Sequence, residues 1–142
     1  MQFVRIGARQ LKEFVATFGQ TEELSVNSKI GFYEPCELAA WMKRPKDNLL
    51  YAARYGGKYV GFVFAKIMSP HWALIDTFYI KPDMRKFGIG RFMQNNIDAA
   101  IKKTGVKYIS RVTRENNAGM HKFLGKLGYS KRDTYVWFDK FV

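Results

Sequence analysis

The chain of 142 residues contains little cysteine, histidine or proline. Its single cysteine, Cys36, excludes an internal disulfide framework and a multi-cysteine zinc site. The two histidines, His71 and His121, are isolated in the sequence, so we predict no metal ion. No stretch approaches the run of about eighteen apolar residues that spans a membrane, and residues 1–9 lack the apolar core of a secretory signal. We therefore expect a cytoplasmic protein with no membrane partner.

Acidic residues are half as frequent as basic ones, 12 against 24, which gives a formal net charge of +12. The imbalance lies in the C-terminal part of the chain. Residues 81–132 hold 13 Lys and Arg against 3 Asp and Glu, whereas residues 1–80 hold 10 against 7. Such a positive field attracts a nucleotide cofactor, a nucleic acid or an acidic partner, and charge alone does not distinguish them.

Apolar residues make up 47% of the chain, and its length suits one domain over residues 1–142. The apolar spacing predicts the order β-α-α-β-β-β-α-β-α-β. We predict strands at residues 2–6, 49–54, 58–68, 72–80, 107–112 and 134–138. We predict helices at residues 9–18, 34–43 and 89–103, and a fourth through Leu127 that is capped by Asn116 or Asn117. This order indicates an α/β (α+β) fold with a mixed, mostly antiparallel sheet flanked by helices, in which the runs 59–67 and 72–80 are central.

A glycine-containing loop connects strand 72–80 to the third helix. Residues 85–90 read Arg-Lys-Phe-Gly-Ile-Gly. The first N–H groups of a helix have no partner within the helix, and the helix dipole favours negative charge there. Glycine lets the backbone approach a ligand closely. The loop is therefore a predicted pyrophosphate site.

The pattern Arg85-x-x-Gly88-x-Gly90 resembles the acetyl-CoA signature of the GNAT N-acetyltransferase superfamily. Residues 78–82, Phe-Tyr-Ile-Lys-Pro, resemble the lead-in to that loop, and residues 115–129 resemble the second family motif, an asparagine-capped helix that ends in Lys-Leu-Gly-aromatic. The resemblance implies an acetyl-CoA site in the V between strands 72–80 and 107–112, with the acceptor entering from the side of the first two helices. It assigns the cofactor to Phe78, Tyr79, Ile80, Arg85, Lys86, Phe87, Gly88, Ile89, Gly90, Arg91 and Asn117.

Acetyl transfer to an amine requires a base that removes a proton and, in this family, commonly an acid that protonates the leaving thiolate. Asp76 is the only acidic residue between Lys58 and Ile80, and strand alternation predicts that it shares a face with Leu74, Phe78 and Ile80. We consider it as the base, with a purely structural carboxylate as the equal alternative; Glu115 or a base acting through ordered water is a further alternative. The usual acid of the family is a tyrosine seven residues after the motif asparagine, where this chain has Leu124. Tyr129 is our candidate acid, and Tyr135 or unassisted departure of the thiolate is the alternative.

The acceptor is not named by any motif. The Asn-Asn-Ala and Lys-Leu-Gly-Tyr segments resemble the branch that acetylates N-termini of ribosomal proteins, so a peptide or protein amine, such as that of an acidic protein, is favoured over a small amine. Phe32, Tyr33 and Trp41 border the acceptor side and either form its wall or pack in the core. The alternative function is a basic module that binds nucleic acid or the ribosome on the same scaffold. Either a monomer or a homodimer is compatible with the sequence.

Overall fold

A computed structural model of the protein describes residues 1–24 and 34–142, and every structural statement below refers to these two ranges. The chain forms two compact units, residues 1–111 and residues 112–142, and each is described by itself. Within the described ranges, no helix is both long enough and apolar enough to cross a membrane.

The first unit contains a five-stranded sheet whose strands lie in chain order. Its strands are β1 (Gln2–Arg5), β2 (Asn48–Tyr55), β3 (Lys58–Ser69), β4 (Trp72–Ile80) and β5 (Tyr108–Arg111). β1 to β4 are antiparallel neighbours, and β5 runs parallel to β4. The predicted mixed, mostly antiparallel sheet is confirmed, and the two strands that are apolar on both faces, β3 and β4, are central as expected.

Two faces of the sheet are covered by three helices of this unit: α1 (Leu11–Phe18), α2 (Pro35–Met42) and α3 (Ile89–Lys102). On one face, aromatic side chains of α1 and Leu38 of α2 pack on Phe62, Phe64 and Tyr79. On the other face, the apolar stripe of α3 packs on the opposite side of the same strands. That stripe consists of Ile89, Met93, Ile97 and Ile101, all buried. The sheet therefore has a hydrophobic core on each side.

Gly61 allows β3, β4 and α3 to approach one another closely. It faces Ile80 across the β3–β4 pair. A Cβ atom at this position would lie 2.6 Å from the Tyr79 carbonyl oxygen and 3.1 Å from the Met93 sulfur. Real Cβ atoms do not approach backbone so closely, so only glycine fits without a shift of β4.

The second unit contains one helix, α4 (Ala118–Lys126). Asn117 is the residue that caps it, because its side-chain oxygen accepts a hydrogen bond of 3.0 Å from the Met120 N–H. Gly128 has φ of +84°, and Tyr129 N–H donates to the Leu124 carbonyl, which is the geometry of a glycine helix stop. Asn117 and Gly128 thus set the two ends of α4.

The predicted strand at residues 134–138 is wrong. Residues 129–142 have no helix or strand, and Tyr135, Trp137 and Phe138 are each more than 80% exposed. The apolar pattern there is typical of a strand, but a strand needs a neighbour for its backbone hydrogen bonds. Within its own compact unit, as the structure describes it, this segment has no other strand to pair with.

Candidate active site

The parallel pairing of β4 with β5 covers four residues. Their register runs from Trp72 opposite Tyr108 to Ile75 opposite Arg111, where β5 ends. β4 then continues to Ile80, and no strand of the described residues pairs with positions 76–80 on that side. The ladder on that side of β4 therefore ends at Ile75, in the region where the sequence predicts the V between these strands.

A β-bulge marks the start of this opening. Thr77 faces Phe64 and Ile75 faces Ala65, so Asp76 is an extra residue in β4. A bulge reverses the alternation of side chains that follow it and is common next to active sites. Phe78 and Ile80 accordingly belong to the core under α3. The expectation that Asp76 shares a face of β4 with Phe78 and Ile80 is therefore wrong. That expectation assumed that side chains alternate regularly between the two faces of the strand, and they do not alternate at the bulge.

Asp76 lies on the face that α1 and α2 cover. Its carboxylate is 3.8 Å from Lys66 Nζ and accepts a hydrogen bond of 3.3 Å from the Thr77 hydroxyl. The Lys66 ammonium in turn lies over the rings of Trp41 and Phe64, at 4.9 and 5.2 Å from their centroids. The side chains of Lys66 and Asp76 are each 30% exposed. Asp76 is thus a half-buried carboxylate at the tip of the V, with an ammonium group next to it.

An open groove of about 590 Å³ begins at Trp41 and Lys66. It continues along the end of α2, the turn before β2 and the β3–β4 connection. Its lining consists of Trp41, Arg44, Asp47, Asn48, Lys66, Ile67, Met68, Ser69 and Pro70. Arg44 and Asp47 form an ion pair of 2.8 Å in its wall. Phe32 and Tyr33, which were expected beside Trp41, lie outside the described residues.

The glycine loop leads from β4 into α3 through backbone conformations that expose amides. Gly88 is the N-cap of α3 with φ of 77°, and no side chain caps the first turn. A Cβ at Gly88 would meet no atom within 4 Å, so the space in front of the helix is open. Lys86 also has a positive φ, 70°, which turns the chain sharply. The N–H groups of the first turn of α3 therefore point toward open space, with Phe87 72% exposed beside them.

Arg85 holds the loop against the end of β4. Its Nε donates to the Ile80 carbonyl at 2.9 Å, and its terminal nitrogen forms an ion pair of 2.6 Å with Glu23. Its own N–H donates to the Pro82 carbonyl at 3.3 Å. The guanidinium of Arg85 is thus directed toward the base of the loop, whereas Lys86 and Arg91 are exposed cations of the loop itself.

Tyr79 contributes its side chain to the core. The ring packs against Phe18 and Phe62, and only 8% of the residue is exposed. Burial, followed by the nearby Glu23 carboxylate, raises the pKa of the Tyr79 phenol above its ordinary value of 10.0, while Arg85 opposes this shift. The phenol is therefore protonated at neutral pH, and the Tyr79 carbonyl oxygen lies on the β3 side of the strand, next to Gly61.

Arg111 is a charged residue of the V that the sequence analysis missed. It ends β5, and its guanidinium stacks 4.7 Å from the centroid of the Phe78 ring on β4. Its terminal nitrogen donates to the side-chain oxygen of Gln94, a fully buried residue of α3. The Gln94 amide donates to Asp98 at 2.7 Å. An arginine two residues after Ile109, on the same face of the strand, was the signal in the sequence.

The remaining predicted site residues lie in the second unit. Asn117 caps α4, as described above, and Tyr129 is half-buried after the end of that helix.

The two histidines are not among the residues with a proposed role. His71 is exposed, and a ring nitrogen of His121 lies 3.1 Å from the Arg114 carbonyl oxygen. In the part of the chain that the structure describes, no three His, Cys, Asp or Glu side chains come close enough together to hold a metal ion.

Comparisons with known proteins agree with this geometry. The sequence matches the Acetyltransferase (GNAT) family over residues 14–129. No curated protein sequence matches significantly. Among solved structures, PaiA N-acetyltransferase from Thermoplasma acidophilum in complex with coenzyme A has a TM-score of 0.79 and 19% identity, covering 94% of this chain and 92% of that chain.

Two further structures show the same fold at low identity. The ribosomal-protein-alanine N-acetyltransferase from Brucella melitensis biovar Abortus 2308 has a TM-score of 0.75 and 14% identity, over 99% of this chain and 98% of that one. An aminoglycoside acetyltransferase from an uncultured soil metagenomic sample, in complex with sisomicin, has a TM-score of 0.80 and 13% identity, over 99% and 95%. The family match over residues 14–129 shows that this chain belongs to the acetyltransferase (GNAT) family, the acetyl-CoA-dependent N-acetyltransferases.

Proposed function

We propose that this protein transfers the acetyl group of acetyl-CoA directly to a primary amine of a peptide or protein. The observation that carries the proposal is a pair of features in sequence: residues 76–80 of β4 have no paired strand of the described residues on the β5 side, and the N-terminus of α3 that follows has no side-chain cap. An extended arm with amide groups suits the first feature, since it adds to a strand edge through main-chain hydrogen bonds. A pyrophosphate suits the second.

We assign the residues that bind the acyl donor as the family resemblance implies. The main chain of Phe78, Tyr79 and Ile80 binds the pantetheine arm. The amides from Lys86 to Arg91 bind the pyrophosphate, with the side chains of Lys86 and Arg91 adding positive charge. Arg85 acts differently from its neighbours, because its hydrogen bond to the Ile80 carbonyl joins the arm-binding strand to the phosphate-binding loop. Asn117 remains proposed on the pantetheine side through its amide nitrogen, since its oxygen caps α4.

The chemistry requires a neutral amine. Its nitrogen attacks the thioester carbonyl carbon, the carbon–sulfur bond breaks with its electron pair on sulfur, and a base takes the amine proton. Asp76 suits the role of base because it lies at the tip of the V on the face of α1 and α2, from which the acceptor approaches. Tyr129 is the proposed proton donor to the thiolate, and a thiol with an ordinary pKa of about 8.5 also leaves unassisted.

The groove beside Trp41 and Lys66 is the proposed acceptor entrance, because Lys66, whose Nζ is 3.8 Å from the Asp76 carboxylate, lines it. Its basic side chains, Arg44 and Lys66, and the net charge of +12 disfavour polycationic small molecules. They favour a peptide amine with acidic residues near it. By their names, two of the structurally similar proteins acetylate aminoglycosides and a ribosomal protein. The charge argument favours the second kind of acceptor for this chain.

Thermal unfolding with acetyl-CoA tests the donor site. A ligand that binds only the folded state at about 100 times its Kd stabilises it by about 2.7 kcal/mol, so millimolar acetyl-CoA should raise Tm clearly. Gly88→Glu should abolish this increase, because a side chain and a negative charge then occupy the phosphate position. Gly105→Glu is the matched control: Gly105 also has a positive φ, 86°, and open space around it, but lies just after the other end of α3. Equal loss of the Tm increase in both variants would argue against the proposed phosphate site.

A mass-spectrometric acceptor screen tests the second half of the proposal. Peptides with acidic residues near a free N-terminus, peptides with lysine, polyamines and aminoglycosides are compared at equal concentration. We expect acetylation of the peptides and little of the polycations. Preferential acetylation of a polycation would contradict the proposed acceptor class while leaving the donor site intact. Binding of nucleic acid without any response to acetyl-CoA would favour the alternative of a basic binding module.

A further inference from the structure

Arg111 lies where the ladder between β4 and β5 ends. It is the last residue of β5 that pairs with β4, opposite Ile75, and the next position of β4 is the bulged Asp76. From this point the guanidinium reaches to the Phe78 ring, at 4.7 Å, on the α3 side of the sheet. A permanent positive charge therefore lies, half-buried, beside the part of β4 to which the proposed donor site assigns the pantetheine arm.

The position of this charge is fixed from two directions. Gln94, which is 0% exposed, accepts a hydrogen bond from Arg111, and Asp98 orients the Gln94 amide through its own hydrogen bond. The Phe78 ring supports the flat face of the guanidinium. Both ends of the buried Gln94 amide are hydrogen-bonded, so its burial is compensated and the acceptor for Arg111 is fixed in place. The guanidinium is therefore held in one direction.

The length of β4 relates the charge to the acyl donor. If the pyrophosphate binds at the N-terminus of α3, the pantetheine arm runs along β4 from Ile80 back toward Asp76. These two residues are about 13 Å apart at 3.3 Å per strand residue. The pantetheine arm contains two amides and has about the length of four extended residues. Its sulfur is thus expected near the tip of the V, on which Arg111 borders.

We propose that the Arg111 guanidinium stabilises the CoA thiolate that leaves during acetyl transfer. This inference rests on the proposed donor site. Breaking the carbon–sulfur bond places a negative charge on sulfur, and a cation next to it lowers the energy of that anion without moving a proton. Arginine remains charged at all working pH values, so it acts electrostatically and not as an acid. Such a cation suits a chain that has Leu124 at the position where the family resemblance implies a tyrosine.

The pKa of the CoA thiol in the complex measures this stabilisation of the thiolate in the absence of an amine acceptor. Thiolate absorbance of CoA bound to the protein is titrated against pH, with the complex of desulfo-CoA as the blank. We expect the pKa of the bound thiol to lie below that of free CoA by about 1–3, as for other ionisable groups with an opposite charge nearby. Arg111→Met should remove most of this decrease, Arg111→Lys should retain part of it, and Gln94→Met, which removes the anchor, should have an intermediate effect. Lys107→Met is the control, since it removes an exposed cation just before β5.

Three outcomes separate the possibilities. If CoA and desulfo-CoA both fail to bind, the proposed donor site is wrong, whatever Arg111 does. If both bind and the bound thiol of the wild type has the pKa of free CoA, the role of Arg111 is refuted even when Arg111→Met does not fold. If Arg111→Met weakens CoA and desulfo-CoA equally at alkaline pH, Arg111 binds the arm and not the sulfur, which also overturns the proposal.

Discussion

Replacement of Gly61 by alanine tests how tightly the donor-binding part of β4 is packed. The added Cβ would lie 2.6 Å from the Tyr79 carbonyl oxygen and 3.1 Å from the Met93 sulfur. The methionine side chain is able to move, but the carbonyl belongs to a central strand, so β4 must shift. Overpacking costs about 1–3 kcal/mol, and we expect a value near 3 kcal/mol because the obstructing atom is backbone. For a chain of this size Tm should fall by about 10 °C.

The same change should weaken acetyl-CoA binding, since Phe78, Tyr79 and Ile80 supply the proposed main-chain contacts. We expect Kd to rise by about tenfold, equivalent to about 1.4 kcal/mol, measured by isothermal titration calorimetry at a temperature where the variant is folded. Gly57→Ala is the matched control. Gly57 has φ of +78° in the β2–β3 turn and no atom within 4 Å, so alanine there costs stability through backbone strain of about 1–2 kcal/mol. It should not alter Kd.

The reasoning is refuted if Gly61→Ala is as stable as the wild type. It is also refuted if Gly61→Ala and Gly57→Ala lose stability alike and neither changes Kd. The first result would mean that β4 and β3 move apart without a loss of folding free energy. The second would mean that binding of the acyl donor does not depend on the position of β4.

Three further predictions concern individual side chains. Asp76→Asn should lower kcat by about 10²- to 10⁴-fold in a steady-state assay with the acceptor found in the screen, whereas Asp139→Asn, at an exposed site near the C-terminus, should have no effect. Burial raises the pKa of the Tyr79 phenol in the folded protein. The stability that this shift contributes is complete below the unfolded pKa of 10.0 and is lost as the pH rises through the higher folded pKa. In urea unfolding from pH 8 to 11, Tyr79→Phe should therefore lose less stability at alkaline pH than the wild type. Asn117→Ala should cost about 0.5–2 kcal/mol in the same unfolding assay and Asn117→Asp much less, because only alanine lacks an oxygen for the Met120 N–H.

Local patterns predicted most of the fold. The apolar runs of β3 and β4 identified the central strands, and the glycine pair before Lys58, whose φ angles are 56° and 78°, identified the hairpin. The asparagine cap and glycine stop of α4 were likewise visible, because each depends on residues close in sequence. The strand predicted at residues 134–138 failed for the opposite reason: strand formation depends on a partner, and the pattern of a segment does not reveal its partner.

The candidate site was predictable in part. The glycine loop before α3 followed from a motif. The face of Asp76 did not, because a bulge of one residue changes the alternation and has no sequence signal of its own. Lys66 and Arg111 were missed since each meets its partners across long sequence separations, Lys66 at Asp76 and Arg111 at Gln94 and Phe78.

Titration of the ¹⁵N-labelled protein with CoA, followed by amide NMR, tests the central claim most directly. The claim is that the donor lies along the open edge of β4 with its phosphates at the N-terminus of α3. The account predicts that the largest shifts occur at the amides of residues 77–80 and 86–91. Shifts confined to exposed lysines outside the loop, such as Lys102 and Lys107, with unchanged amides along β4, would contradict it.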